Sequence, residues 1–85
     1  MDTGEAMRRQ LERAFAPTRL EVEDRSEEHR GHGGWREGGG THWHVAIRAP
    51  AFKAMSRVER HRAVHAALGP EIMGRIHALG LDVEG

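Results

Sequence analysis

Apolar residues recur along this chain with two alternating periods. Met7, Leu11, Ala14 and Phe15 follow one another at helical spacing, and Asp2 with Glu5 has the spacing of a capping box in front of them, so the pattern predicts an amphipathic helix that Pro17 stops. From Leu20 the period drops to two: Leu20 and Val22 alternate with Glu21 and Glu23, which predicts a short strand with one wet face, ending near Asp24. The residues from Arg25 to Gly40 follow neither period. They hold six glycines, two histidines, a tryptophan and many charges, and so predict a long loop. Alternation returns from Thr41 to Arg48, with Trp43, Val45 and Ile47 on one face and His42, His44 and Arg48 on the other, and this second strand is expected to pair with the first as a hairpin before Pro50 ends it.

After a link through Phe52 and Met55, Ser56-Arg57-Val58-Glu59 has the capping-box spacing again and predicts a helix with Val58, Val64, Ala67, Leu68 and Ile72 on its inner side. Gly69-Pro70 should break it and restart a short helix at Glu71. Ile76, Ala78, Leu79, Leu81 and Val83, interrupted by Gly80, predict a last strand. The order is therefore helix, strand, strand, helix, helix, strand, in one domain over residues 1–85, with no internal repeat.

Composition narrows the function classes more than it selects one. Eighty-five residues support a single modest core and leave little room for an enclosed enzyme active site. Thirteen basic residues balance thirteen acidic ones, so only a local patch can favour nucleic acid. No apolar run approaches a membrane span, and the first residues lack the build of a signal peptide, which makes a cytoplasmic protein the expectation.

Seven histidines in a chain without cysteine are its most distinctive chemistry. Histidine is the commonest metal ligand and titrates near neutrality, whereas the missing thiolate removes the usual anchor of iron-sulfur clusters and most structural zinc sites. A soft metal centre here would take its sulfur from a partner. His42 and His44 have a spacing that permits chelation, although two polar residues on a solvated face is the reading to prefer. His61 and His65 lie four apart, but Arg62 stands where the helical zinc-protease motif needs glutamate, and Arg57, Arg60 and Arg62 disfavour an added cation. His29 and His32 lie in the glycine-rich loop, where small neighbours let an imidazole reach a ligand. His77, entering an apolar strand, must be satisfied by a hydrogen bond or used as a ligand. Gly31-His32-Gly33-Gly34 fits the GxxG of a KH module in letters only, because that loop belongs between helices and this one lies between strands. Neither Ser26 nor Ser56 has a nucleophile-elbow setting, so a serine hydrolase has no support.

Taken together, Leu20-Glu21-Val22 with Ser26, Gly39-Gly40-Thr41-His42-Trp43-His44-Val45, Ser56-Arg57-Val58-Glu59-Arg60-His61-Arg62 and Ile76-His77-Ala78-Leu79 resemble the successive signature blocks of the BolA family. The resemblance implies a compact α/β (α+β) fold related to the type II KH topology, with helices on one face of a three-stranded mixed sheet. It also implies a non-enzymatic adaptor that binds a monothiol glutaredoxin and shares a [2Fe-2S] cluster with it and with glutathione, in iron-sulfur trafficking or iron regulation. Carried over residue by residue, one ligand falls on His77 and the loop ligand on His29, within Ser26-Glu27-Glu28-His29, with His32 a close second and His42 in support. His61 would orient its helix or touch the partner. Gly40 stands where relatives commonly have glutamate, and Gly69-Pro70 interrupts a usually helical stretch, so the partner surface is expected to differ locally. The family also offers a rival role, a DNA-binding regulator that contacts phosphates through Lys53, Arg57, Arg60 and Arg62. A mononuclear zinc or copper site built from the histidines ranks third.

Overall fold

A computed structural model of the chain describes residues 2–25 and 42–85. Helix α1 (Thr3–Phe15) is followed by strands β1 (Arg19–Asp24) and β2 (His42–Arg48), a 3-10 turn (Pro50–Phe52), helix α2 (Arg57–Arg75) and strand β3 (Ala78–Glu84). Asp2 caps α1 as its spacing predicts, its carboxylate accepting from the Glu5 backbone N–H at 2.9 Å. The helix closes through Ala16, which takes a left-handed conformation (φ 45°, ψ 58°) ahead of Pro17. For a residue with a Cβ that conformation costs about 1 kcal/mol.

Helix α2 starts at a complete capping box. The Ser56 hydroxyl accepts from the Glu59 N–H, and the Glu59 carboxylate accepts from the Ser56 N–H at 2.8 Å. Hydrogen bonding from the Ser56 backbone N–H, and secondarily from the Ser56 side chain, holds the Glu59 carboxyl below its usual pKa. Gly69 (φ 84°, ψ 163°) departs from helical geometry in front of Pro70, so α2 is two helical segments joined across a kink. That conformation is open essentially to glycine alone. The expected break is therefore present, and it falls where Gly69-Pro70 predicts.

The sheet has the order β1-β2-β3. β2 pairs antiparallel with β1 and parallel with β3, so the sheet is mixed, with α2 as the crossover between the parallel strands. Register places Leu20, Ile47 and Val83 in one row and Val22, Val45 and Leu81 in the next. These rows form the core with Met7 and Leu11 of α1 and Val64, Leu68 and Ile72 of α2, so both helices cover the same face. Phe52, delivered by the 3-10 turn, is fully buried, its ring 4.6 Å from that of Phe15. Fully burying a side chain of this size contributes roughly 1.5–3 kcal/mol. The sequence had offered this segment only as a link.

Val58 corrects the predicted inner side of α2, for it is 58% exposed. The buried positions Val64, Leu68 and Ile72 recur every four residues, and Val58, six before Val64, falls off that line. One turn before Val64 the line passes through Arg60, whose guanidinium donates to the Phe52 carbonyl at 2.9 Å and the Val83 carbonyl at 3.1 Å. At the opposite side of the sheet Arg8 of α1 donates to the Leu20 carbonyl at 3.4 Å. Because ladder bonds alternate, Leu20 and Val83 turn these carbonyls away from β2. Each edge strand thus receives one arginine from a helix.

Candidate histidine site

The other face of the sheet carries no helix. Its rows are Arg19, Arg48 and Glu84, then Glu21, Ala46 and Asp82, then Glu23, His44 and Gly80, and finally His42 beside Ala78. Charges dominate it, with Arg48 and Glu84 paired across β2 and β3 at 3.2 Å. Toward the Ala78 end it turns to histidine. A Cβ on Gly80 would stand 3.0 Å from His44 Nδ1, so the bare backbone of β3 makes room for the His44 ring beside it.

His42 and His77 come together at this end, their ring centroids 5.3 Å apart and their planes inclined at 59°. The two rings do not share an environment. His42 is 5% exposed, which overturns the solvated-face reading for that residue: alternation fixes which face it occupies but not what covers that face. His77 is exposed and stands on the bend before β3 instead of within it, so the expectation of a histidine enclosed by an apolar strand is corrected as well. The apolar run from Ile76 to Val83 joins two elements, since Ile76 is the C-cap of α2 and the strand begins only where Ala78 pairs with His42.

The proposed loop ligands His29 and His32 lie outside the described residues, as do Ser26, the glycine-rich loop and Thr41. Among the described residues no group of three or more histidine, aspartate or glutamate side chains is placed to hold a metal ion, so a mononuclear site made from these alone has no support. The chemistry available at the pair is that of imidazole nitrogen: an exposed donor at His77, fixed at a strand start, beside a buried neighbour. Such an arrangement fits ligation of an iron brought by another protein, because His77 is open to approach.

The basic stretch at the start of α2 divides in two. Lys53, Arg57 and Arg62 are exposed, whereas Arg60 is half-buried and occupied by the carbonyls of Phe52 and Val83. His61 and Arg57 line a cavity of about 420 Å³ between α2 and β3, opposite Leu81 and Asp82. Arg60's structural role had no sequence signal, since a charged residue on the inner line of a helix reads as surface until its acceptors are seen.

Comparison with known proteins agrees with this architecture. Residues 11–84 match the family model described as BolA-like protein. A protein from Sinorhizobium sp., described as an uncharacterized protein in the cobS 5' region, is 42% identical over 83 residues, covering 96% of this chain and 89% of its own length. Human BolA-like protein 1 is 40% identical over 77 residues, and there the match spans 91% of this chain but only 53% of the relative. The solved BolA domain of SufE1 from Arabidopsis thaliana superposes with a TM-score of 0.84 at 36% identity, over 99% of this chain and 92% of that one. The fold defines a small α+β domain with a mixed three-stranded sheet. The chain belongs to the BolA-like protein family. No helix among the described residues is long and apolar enough to cross a membrane.

Proposed function

We propose that this BolA-like domain is a non-enzymatic adaptor: it binds a monothiol glutaredoxin and offers histidine nitrogen to a [2Fe-2S] cluster held between the two proteins, the thiolates coming from the glutaredoxin and its glutathione. The observation that carries this reading is His77, exposed at the fixed start of β3 with the His42 ring 5.3 Å away, in a chain with no cysteine. His77 would be one ligand and a loop histidine, His29 or His32, the other, with His42 behind His77 limiting where its ring can lie. When bound, a cluster supplies one-electron redox chemistry and a transferable iron-sulfur unit, and imidazole in place of thiolate leaves it less negative and raises its potential. The role this serves is iron-sulfur trafficking or iron regulation, and the cytoplasm is the compartment proposed.

The test is an absorption and visible circular dichroism titration of the protein into a glutathione-loaded, cluster-bearing monothiol glutaredoxin, beside the His77→Ala variant. A spectral change saturating at one-to-one, and altered or lost in the variant, is expected. An unchanged spectrum with both proteins would sink the shared-cluster reading. Of the basic residues expected to contact DNA, Arg60 is engaged within the fold, which leaves Lys53, Arg57 and Arg62, and binding through them would fall steeply with salt.

A further inference from the structure

The kink in α2 opens a second feature, remote in sequence from the histidines. A cavity of about 470 Å³ lies between α1 and the kinked part of α2. Leu68, Pro70 and Ile72 give it apolar lining, and Arg9, Arg13 and Arg75 contribute three guanidiniums against the single carboxylate of Glu71. Arg75 is already paired with Glu71 at 2.7 Å. Among the described residues no hydrogen bond or ion pair engages the side chain of Arg9 or of Arg13. The two are one helical turn apart, so they lie on the same side of α1, roughly 5–6 Å between Cβ atoms. Gly69 stands in the wall, and a Cβ added there would meet no atom within 4 Å, which shows that its glycine serves the backbone turn and that the space beside it is open.

We propose that this cavity is a binding site for a small organic dianion, a phosphate monoester on a compact apolar body. Two unpaired guanidiniums on one side of a helix match the oxygens of one phosphate, which arginine grips in bidentate fashion. The apolar lining would be wasted on a bare ion. The volume lies within the roughly 300–1,000 Å³ of small-molecule sites, and a protein segment would need a far larger surface than this hollow provides. The site uses no residue of the histidine pair, so it stands or falls apart from the cluster reading.

Phenyl phosphate is the probe, titrated into the whole ¹⁵N-labelled chain and followed by amide shifts, with inorganic phosphate as a parallel titrant. Saturable shifts centred on Leu68, Gly69 and Ile72 are expected, with inorganic phosphate at least about tenfold weaker, a difference of about 1.4 kcal/mol. Arg9→Gln/Arg13→Gln, which keeps good helix formers at both positions, should weaken phenyl phosphate by about tenfold or more, while Arg48→Gln on the open sheet face leaves it unchanged. Equal affinity for the two titrants, binding retained in the double variant, shifts spread over Arg19, Arg48 and Arg57, or no saturable shift at all would each overturn the proposal.

Discussion

The two faces of β2 differ in what their side chains are for. On the helix side Val45 and Ile47 are buried against both helices, and their neighbours in register are apolar too. On the open side Ala46 stands between Glu21 and Asp82, His44 lies beside Gly80, and only His42 is buried. The first face holds the core; the second is largely exposed and charged. His42 is the exception, a polar ring with the burial of a core residue on the open side.

Truncation should separate the faces most clearly. Val45→Ala removes fully buried methyl groups from a packed core and is expected to destabilise by roughly 2 kcal/mol, whereas Glu21→Ala should stay within about 0.5 kcal/mol, both read from urea unfolding midpoints. Equal effects would mean that the open face is structural as well. The histidine pair divides in the same way on a smaller scale: His42→Ala should cost roughly 1–2 kcal/mol for a buried ring, and His77→Ala less than about 0.5 kcal/mol, even though His77 is the one assigned to the cluster. If His77→Ala proved the more destabilising, its effect on cluster spectra could no longer be read as loss of a ligand. The smallest effect concerns the capping box. Glu59 has a lowered pKa in the folded protein, so the stability it contributes is present above its unfolded pKa and is lost as pH falls through the folded one. Acid should therefore shift the Ser56 and Glu59 amide resonances toward those of Glu59→Gln, and a flat profile would show that the box is not an ionised pair of bonds.

Much of the fold could be read from spacing because caps, periods and breakers act locally. Asp2, Ser56 with Glu59, the change to period two at Leu20, and Gly69-Pro70 each declare their element within a few residues. Two misses depended on tertiary geometry: Phe52 reaches the core through a turn with no periodicity, and Arg60 finds its acceptors 8 and 23 residues away. Val58 was a miss of spacing itself, an apolar residue off the line that Val64, Leu68 and Ile72 define. The candidate site was legible only as residue types, histidines in a chain without cysteine, and neither the depth of His42 nor the exposure of His77 follows from alternation. His42 looked outward by parity, and His77 looked buried by composition.

The arginines on the two outer strands carry a further consequence. A three-stranded sheet ends in two rows of unsatisfied backbone groups, each a template on which another chain can add a strand. Arg8 occupies the Leu20 carbonyl on one row and Arg60 the Val83 carbonyl on the other, each placing a charge where an intruding strand would have to lie. Arg60, which ties the Phe52 turn to β3, thus also fills one of the backbone acceptors that an added strand would need, so the residue that first resembles a nucleic-acid contact closes part of a sheet edge.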